Sequence, residues 1–316
     1  MSSAPVLVRP TSTLPPPRLG PDETIEWVFG VKPSRPDAKF DPAETAAIFG
    51  PEWADEAFAG GHVNVYARET KDGPWCLVGD DEEQGADDEG EGDRDAGGPG
   101  YVSIVVAADL VRFFRKPPTQ SQLQAFADQL REDVADLGGV TSIRENVQEA
   151  AARAKELGHA RRLVGDVDSS LLVVATEAPF GANALAEILT ELDLVLVDGD
   201  AFYWENAPEA AGDPWLFRVE PATEDETFSL AAIEANATYE SVSFTLNVAR
   251  TAEPVAVSAA MLTAARHLAK QLGGEVLDDE GNVLDDRVVR ARVEGIVSRV
   301  RDAGFVCGTD AALRLF

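Results

Sequence analysis

Two helices that stop on the same Leu-Gly-Gly sequence constrain this chain more than any other feature. Met261, Ala264, Ala265, Leu268 and Leu272 recur at spacings of three and four, the stripe of an amphipathic helix. Gly273 and Gly274 follow and supply the positive-φ stop that ends it. Upstream, Leu123, Phe126, Ala127, Leu130, Val134 and Leu137 form a second such stripe, closed by Gly138 and Gly139. The two stops lie 135 residues apart. Three other landmarks recur at nearly that interval. Gly61-His-Val-Asn-Val-Tyr66 answers Gly199-Asp-Ala-Phe-Tyr-Trp204, Pro74-Trp-Cys-Leu77 answers Pro214-Trp-Leu-Phe217, and Val102-Ser-Ile-Val105 answers Val242-Ser-Phe-Thr245. This order of matches reads as two diverged copies of one domain.

The length of 316 residues suits two domains, and a hydrophobic share of 45% lets each bury a core. Only two cysteines occur, Cys76 and Cys307, with no metal-ligand spacing, so reduced thiols and a cytoplasmic location are expected. MSSAPVLVRP has neither the charged n-region nor the apolar h-region of a signal peptide. No apolar run approaches the roughly 18 residues of a membrane span. With 56 acidic residues against 27 basic, the net charge of −29 repels nucleic acid and anionic lipid, so neither is an expected partner.

Along the chain, residues 1–21 are a Pro-rich arm with no core of its own. The first copy is expected over residues 22–160. Ile25, Trp27, Phe29 and Val31 alternate as a strand, and Asp41-Pro42 starts a helix that Gly50-Pro51 must break. Strands follow at Val63–Arg68, Trp75–Gly79 and Tyr101–Ala108. Between the last two, residues 80–95 carry ten acids and one Arg, which marks residues 80–98 as a disordered inserted loop. Thr119 or Ser121 caps the next helix, and Ser142-Ile-Arg-Glu145 reads as a capping box for the last one. The second copy is expected over residues 166–316, with strands at 171–175, 194–197, 201–205, 215–220 and 242–248 and a helix capped by Asn183. Residues 221–240 are polar with little pattern. The overall class is α+β, with helices on one face of each antiparallel sheet.

No catalytic constellation is legible. His62, His159 and His267 sit at no metal-ligand spacing, and there is no nucleophile turn or Gly-rich phosphate loop. Asp278-Asp279 and Asp285-Asp286 flank Gly281-Asn282 without the ligand spacing of a calcium loop. No enzyme, cofactor or metal is expected.

Gly199-Asp200, Pro214-Trp-Leu-Phe217, the strand at 242–248, LAKQLGGEVLDDEGNVLDD at 268–286 and the terminal ALRLF together resemble the C-terminal domain of the cell-division protein ZipA. The first copy is similar through Gly61-His-Val-Asn-Val-Tyr-Ala-Arg68. The resemblance implies two tandem split β-α-β domains, each an antiparallel sheet with about three helices on one face. It further implies a non-enzymatic protein-binding module whose open sheet face takes the C-terminal tail of the division protein FtsZ. On that basis Tyr66 faces the helices, and Val63, Val65 and Val105 line the open face of the first copy. Ala201, Tyr203 and Thr245, joined by Leu171 and Val173, line that of the second, and the first copy has the more apolar groove. Two alternatives stay open: that the fold serves as a cytosolic adaptor or inhibitor for an unrelated protein, and that the two open faces pack on each other.

Overall fold

Each Leu-Gly-Gly stop turns a helix into an edge strand, and its two glycines have different jobs. The first takes the left-handed region, at φ 72° for Gly138 and 74° for Gly273, where a side chain is strained. The second is a site of close approach. A Cβ on Gly139 would lie 3.0 Å from Val134 Cγ1, and one on Gly274 would lie 2.8 Å from Phe180 Cζ.

The computed structural model describes residues 4–16, 19–50, 53, 57–58, 61–79, 100–111, 116–223, 226–278 and 281–316. The acidic stretch at 80–98 and the Pro51 position lie outside the described residues. The chain divides into two units. One holds residues 18–162, and the other holds residues 163–314 together with the N-terminal 1–17 and Phe316.

In the first unit, chain order gives β1 (Glu26–Pro33), α1 (Pro42–Ile48), β2 (Val63–Arg68), β3 (Cys76–Leu77), β4 (Ser103–Asp109), α2 (Gln120–Asp136), β5 (Gly139–Ile143) and α3 (Val147–Val164). The strands form one antiparallel sheet in the order β3-β2-β4-β1-β5. Helix α1 starts as expected, with Asp41 accepting from Glu44 N at 2.9 Å. Helix α2 starts on a Thr119–Gln122 capping box. Its buried stripe of Leu123, Phe126, Ala127, Leu130 and Val134 packs on β1, where the Phe126 and Phe29 rings meet edge-on at 5.6 Å. The capping box expected at Ser142–Glu145 is corrected. Ser142 belongs to β5, and Asn146 caps α3 by accepting from Gln148 N and Glu149 N. A five-residue edge strand is hard to see in a sequence because each residue has only one paired neighbour to satisfy.

The second unit contains β6 (Asp168–Ala175), β7 (Phe180–Gly181), α4 (Ala182–Glu191), β8 (Leu194–Val197), β9 (Ala201–Glu205), β10 (Trp215–Pro221), α5 (Leu230–Glu234), β11 (Thr238–Tyr239), β12 (Ser241–Asn247), α6 (Pro254–Leu272), β13 (Gly274–Asp278), α7 (Asp286–Asp302) and α8 (Asp310–Leu315). Its main sheet is antiparallel in the order β13-β6-β12-β10-β9-β8, and β11 and β7 pair separately. Helix α6 buries Val257, Met261, Ala264, Ala265 and Leu268 against β6, β12 and β13. The stretch at 221–240 is more structured than its polarity suggests. Phe228 and Tyr239 are buried with their rings 5.1 Å apart. Helix α4 has no side-chain cap, so Asn183 is not its N-cap residue.

The sheets agree in part. In both, the strand after the Leu-Gly-Gly stop pairs with the first strand of its unit, which pairs with the strand before the long helix. The landmark matches fail beyond that point. Gly61–Tyr66 leads into β2, which pairs directly with β4, whereas its matched strand β9 is separated from β12 by β10. Two strands with similar sequence can thus occupy different sheet positions, because pairing is decided by the neighbouring strand and not by the strand alone.

Candidate peptide-binding faces

In the first unit, β1 presents Trp27, Phe29 and Val31 to the buried layer and Val28, Gly30 and Lys32 to the opposite face. Cross-strand register then places every other side chain. Ala108, Val106 and Ile104 of β4 pair with the first set, while Ala107 and Val105 pair with Val28 and Gly30. On β2, Val63 and Val65 stand opposite Ala108 and Val106, and Asn64, Tyr66 and Arg68 stand opposite Ala107, Val105 and Ser103.

The expected orientation of β2 is therefore inverted. Val63 and Val65 lie in the helix-covered layer, 6% and 5% exposed, and Tyr66 lies on the open face. Of the three positions expected there, Val105 alone holds. The reason is steric and polar. The covered layer is already filled by Phe29, Phe58 and Phe126, where a Tyr hydroxyl would have to be buried among rings. On the other face Tyr66, Val105 and Ala107 form their own apolar cluster against Val28, Trp75 and Leu77. Beside that cluster runs a groove of about 620 Å³, walled by Val28, Val105 and Trp75 and by charged groups of β1, β2 and the start of α3.

Those charges are mostly paired. Arg153 bonds to Glu145 and to the carbonyls of Glu23 and Glu26, and Arg144 lies 2.8 Å from Glu23. Burial pushes the Glu145 carboxyl up, and Arg153 partly offsets this. At the far end Glu26 is fully buried, accepting from Asp22 N at 2.6 Å and Asn64 Nδ2 at 2.9 Å. His62 is held by Asn64 at 3.1 Å.

In the second unit the open face follows the row Tyr203–Arg218–Thr245–Ser170 across β9, β10, β12 and β6. Tyr203 and Thr245 are placed as expected. Ala201 shares their side of its strand but is only 3% exposed. Leu171 and Val173 are corrected. They are 1% and 0% exposed, paired with Phe244 and Val242 in the layer under α6. Leu172 and Val174 take the open side, half-buried. No alternation could have revealed this, because Leu171 to Ala175 is apolar at every position.

Trp215, legible before only as a landmark, joins the site through a β-bulge that shifts register between Trp215 and Phe217. Its ring lies 4.9 Å from that of Tyr203. The pair borders a groove of about 330 Å³ that also touches Thr245, Arg218, Asp168 and Asn247. Thr245 Oγ1 meets Ser170 Oγ at 3.1 Å and Ser243 Oγ at 3.3 Å, so the floor is polar. Burial pushes the Asp168 carboxyl up, the like charge of Asp166 adds to this, and Arg218 opposes it. The Pro-rich arm is anchored at the sheet's end. Arg9 donates to Glu205 O at 2.8 Å, pairs with Asp193 at 2.6 Å and lies 5.8 Å above the Trp204 ring.

Among the described residues no group of three or more His, Cys, Asp or Glu side chains could hold a metal ion, and no helix is long and apolar enough to cross a membrane. Each unit thus has an open sheet face that combines aromatic and aliphatic side chains with polar ends.

Comparison with known proteins finds similarity to one family. The ZipA protein of Ectopseudomonas mendocina (strain ymp), a cell division protein, is 29% identical over 191 residues, covering 60% of this chain and 67% of that protein. Residues 169–293, which cover the second sheet, α6 and the first part of α7, match the family described as ZipA, C-terminal FtsZ-binding domain, so over this stretch the chain is similar to that family.

Proposed function

We propose that this chain is a non-enzymatic binding module of cell division that takes the C-terminal tail of FtsZ on an open sheet face. The observation that carries the reading is the coincidence of the family match at 169–293 with the Tyr203–Trp215 wall on the open side of that same sheet. Two apolar anchors seated there would contribute about 3–6 kcal/mol before the peptide's ordering cost, which points to micromolar affinity. The two units are read as diverged copies of one split β-α-β domain, each with a face of this type. The test is fluorescence anisotropy of a labelled FtsZ tail peptide titrated with the full chain. Saturable micromolar binding that Tyr203→Ala or Trp215→Ala weakens is the expected result. No binding up to millimolar protein overturns the reading and leaves an adaptor for another protein as the better account.

A further inference from the structure

The open face of residues 18–162 carries a charge gradient that the binding reading does not use. Four rows cross its central strands. The first, Glu26 opposite Asp109, is acidic and fully buried. Of the two middle rows, Val28–Ala107 ends on the polar Asn64, and Gly30–Val105–Tyr66 carries the apolar centre. The last contains Ser103 opposite Arg68, with Lys32 continuing the open side of β1. Arg68 and Lys32 both line the 620 Å³ groove.

What distinguishes this end among the described residues is a pair of cations without an ion-paired carboxylate, in a chain of net charge −29. Arg144 and Arg153, also in the groove wall, are paired with Glu23 and Glu145. Among the described residues, Arg68 and Lys32 have no carboxylate within ion-pair distance. The Arg68 guanidinium instead lies 4.5 Å above the Trp75 ring, and its buried Nε has no hydrogen-bond partner among the described residues. A buried donor left unmade is costly, and contact with Trp75 restrains the guanidinium. A guanidinium placed over an aromatic ring beside an apolar trough can receive a carboxylate.

We propose that this groove binds an extended peptide in one register, with an acidic residue at Arg68 and Lys32 and an apolar residue two positions away over Val105. The spacing follows from the sheet: rows on one face are two residues, or about 7 Å, apart along a strand, as are same-side residues of an extended peptide. The acidic Glu26–Asp109 end rejects the reversed alignment by like-charge repulsion. This inference rests on the proposal that the open faces take protein tails. It adds that the first unit selects acidic ligands despite the negative charge of the whole chain.

The probe is the labelled FtsZ tail peptide, measured against the full chain, against Arg68→Gln and against Val105→Ala, and also with each peptide Asp or Glu replaced in turn by Asn or Gln. One peptide carboxylate and Arg68 should prove coupled. Losing either should weaken binding about fivefold or more, losing both should cost no more than one, and 0.5 M salt should bring the intact pair toward the variant. The peptide-side substitutions keep the test valid if Arg68→Gln misfolds. Wild-type binding that changes less than twofold with Arg68→Gln and with every peptide substitution overturns this proposal and leaves the function reading standing. No binding by the wild type overturns both. If Arg68→Gln alters only sedimentation, the cationic end meets a second copy and the proposal is wrong.

Discussion

Val65→Asp and Val105→Asp place the same charge on neighbouring strands but on opposite faces of one sheet, and their costs should differ several-fold. Val65 is 5% exposed and stands opposite Val106, in the layer that holds Phe29 and Phe126. An aspartate there either buries its charge or stays protonated. At pH 7 protonation is the cheaper course and costs about 4 kcal/mol, the free energy of neutralising a group whose ordinary pKa is near 4. Losing the buried isopropyl group adds about 1.5–2 kcal/mol. The total of about 6 kcal/mol rivals the whole stability of a domain. Val105 is 8% exposed but stands on the wall of the groove, where a carboxylate can reach water close to the cationic Arg68 row. Its expected cost is about 1–2 kcal/mol, mostly lost apolar contact.

Hydrogen exchange read peptide by peptide resolves residues 18–162 from the rest of the chain. Val65→Asp should strip protection from β2, β4 and α2 together, whereas Val105→Asp should leave α2 protected. The sign with pH is a second check. In Val65→Asp the introduced carboxyl would have a folded pKa raised above its unfolded value, so stability is present below the unfolded pKa and lost as pH rises. Each unit of pH from 7 down to 5 should return about 1.4 kcal/mol to Val65→Asp and little to Val105→Asp. Equal losses, or a greater loss for Val105→Asp, would show that the face assignment is wrong.

Two further outcomes follow from local geometry. Gly274→Ala should cost more than Gly273→Ala, because its Cβ would lie 2.8 Å from Phe180 Cζ and 2.9 Å from Val174 O. Overpacking of that kind costs about 1–3 kcal/mol and a left-handed Ala about 1–2, with thermal melts of the two variants giving the order. Asp168→Asn should stabilise the chain at pH 7 by less than about 1 kcal/mol, since the half-buried Asp168 has a raised pKa and loses stability as pH rises. The gain should vanish at low pH, where aspartate is itself neutral, and urea melts at several pH values measure it.

The chain's own sequence determined the helices, some of their caps and most strands, because those depend on near neighbours. A stripe at spacings of three and four, an Asp41 or Thr119 cap and a Leu-Gly-Gly stop each act within a few residues. On β12 the same locality separates Val242, Phe244 and Leu246 from Ser243, Thr245 and Asn247, while the place of Tyr203 on the open face came from the family resemblance. Alternation says which residues share a side but not which side is covered. On β2 both sides carry a bulky residue, and on β6 the run from Leu171 to Ala175 is apolar throughout. Only pairing with β4 and β12, whose faces are fixed by Trp27, Phe29 and Phe244 against the long helices, decided that Val63, Val65, Leu171 and Val173 point inward. The contact of Arg68 with Trp75 is likewise a tertiary fact. Whether a guanidinium finds a carboxylate depends on strands far apart in sequence, and no local pattern carries that information.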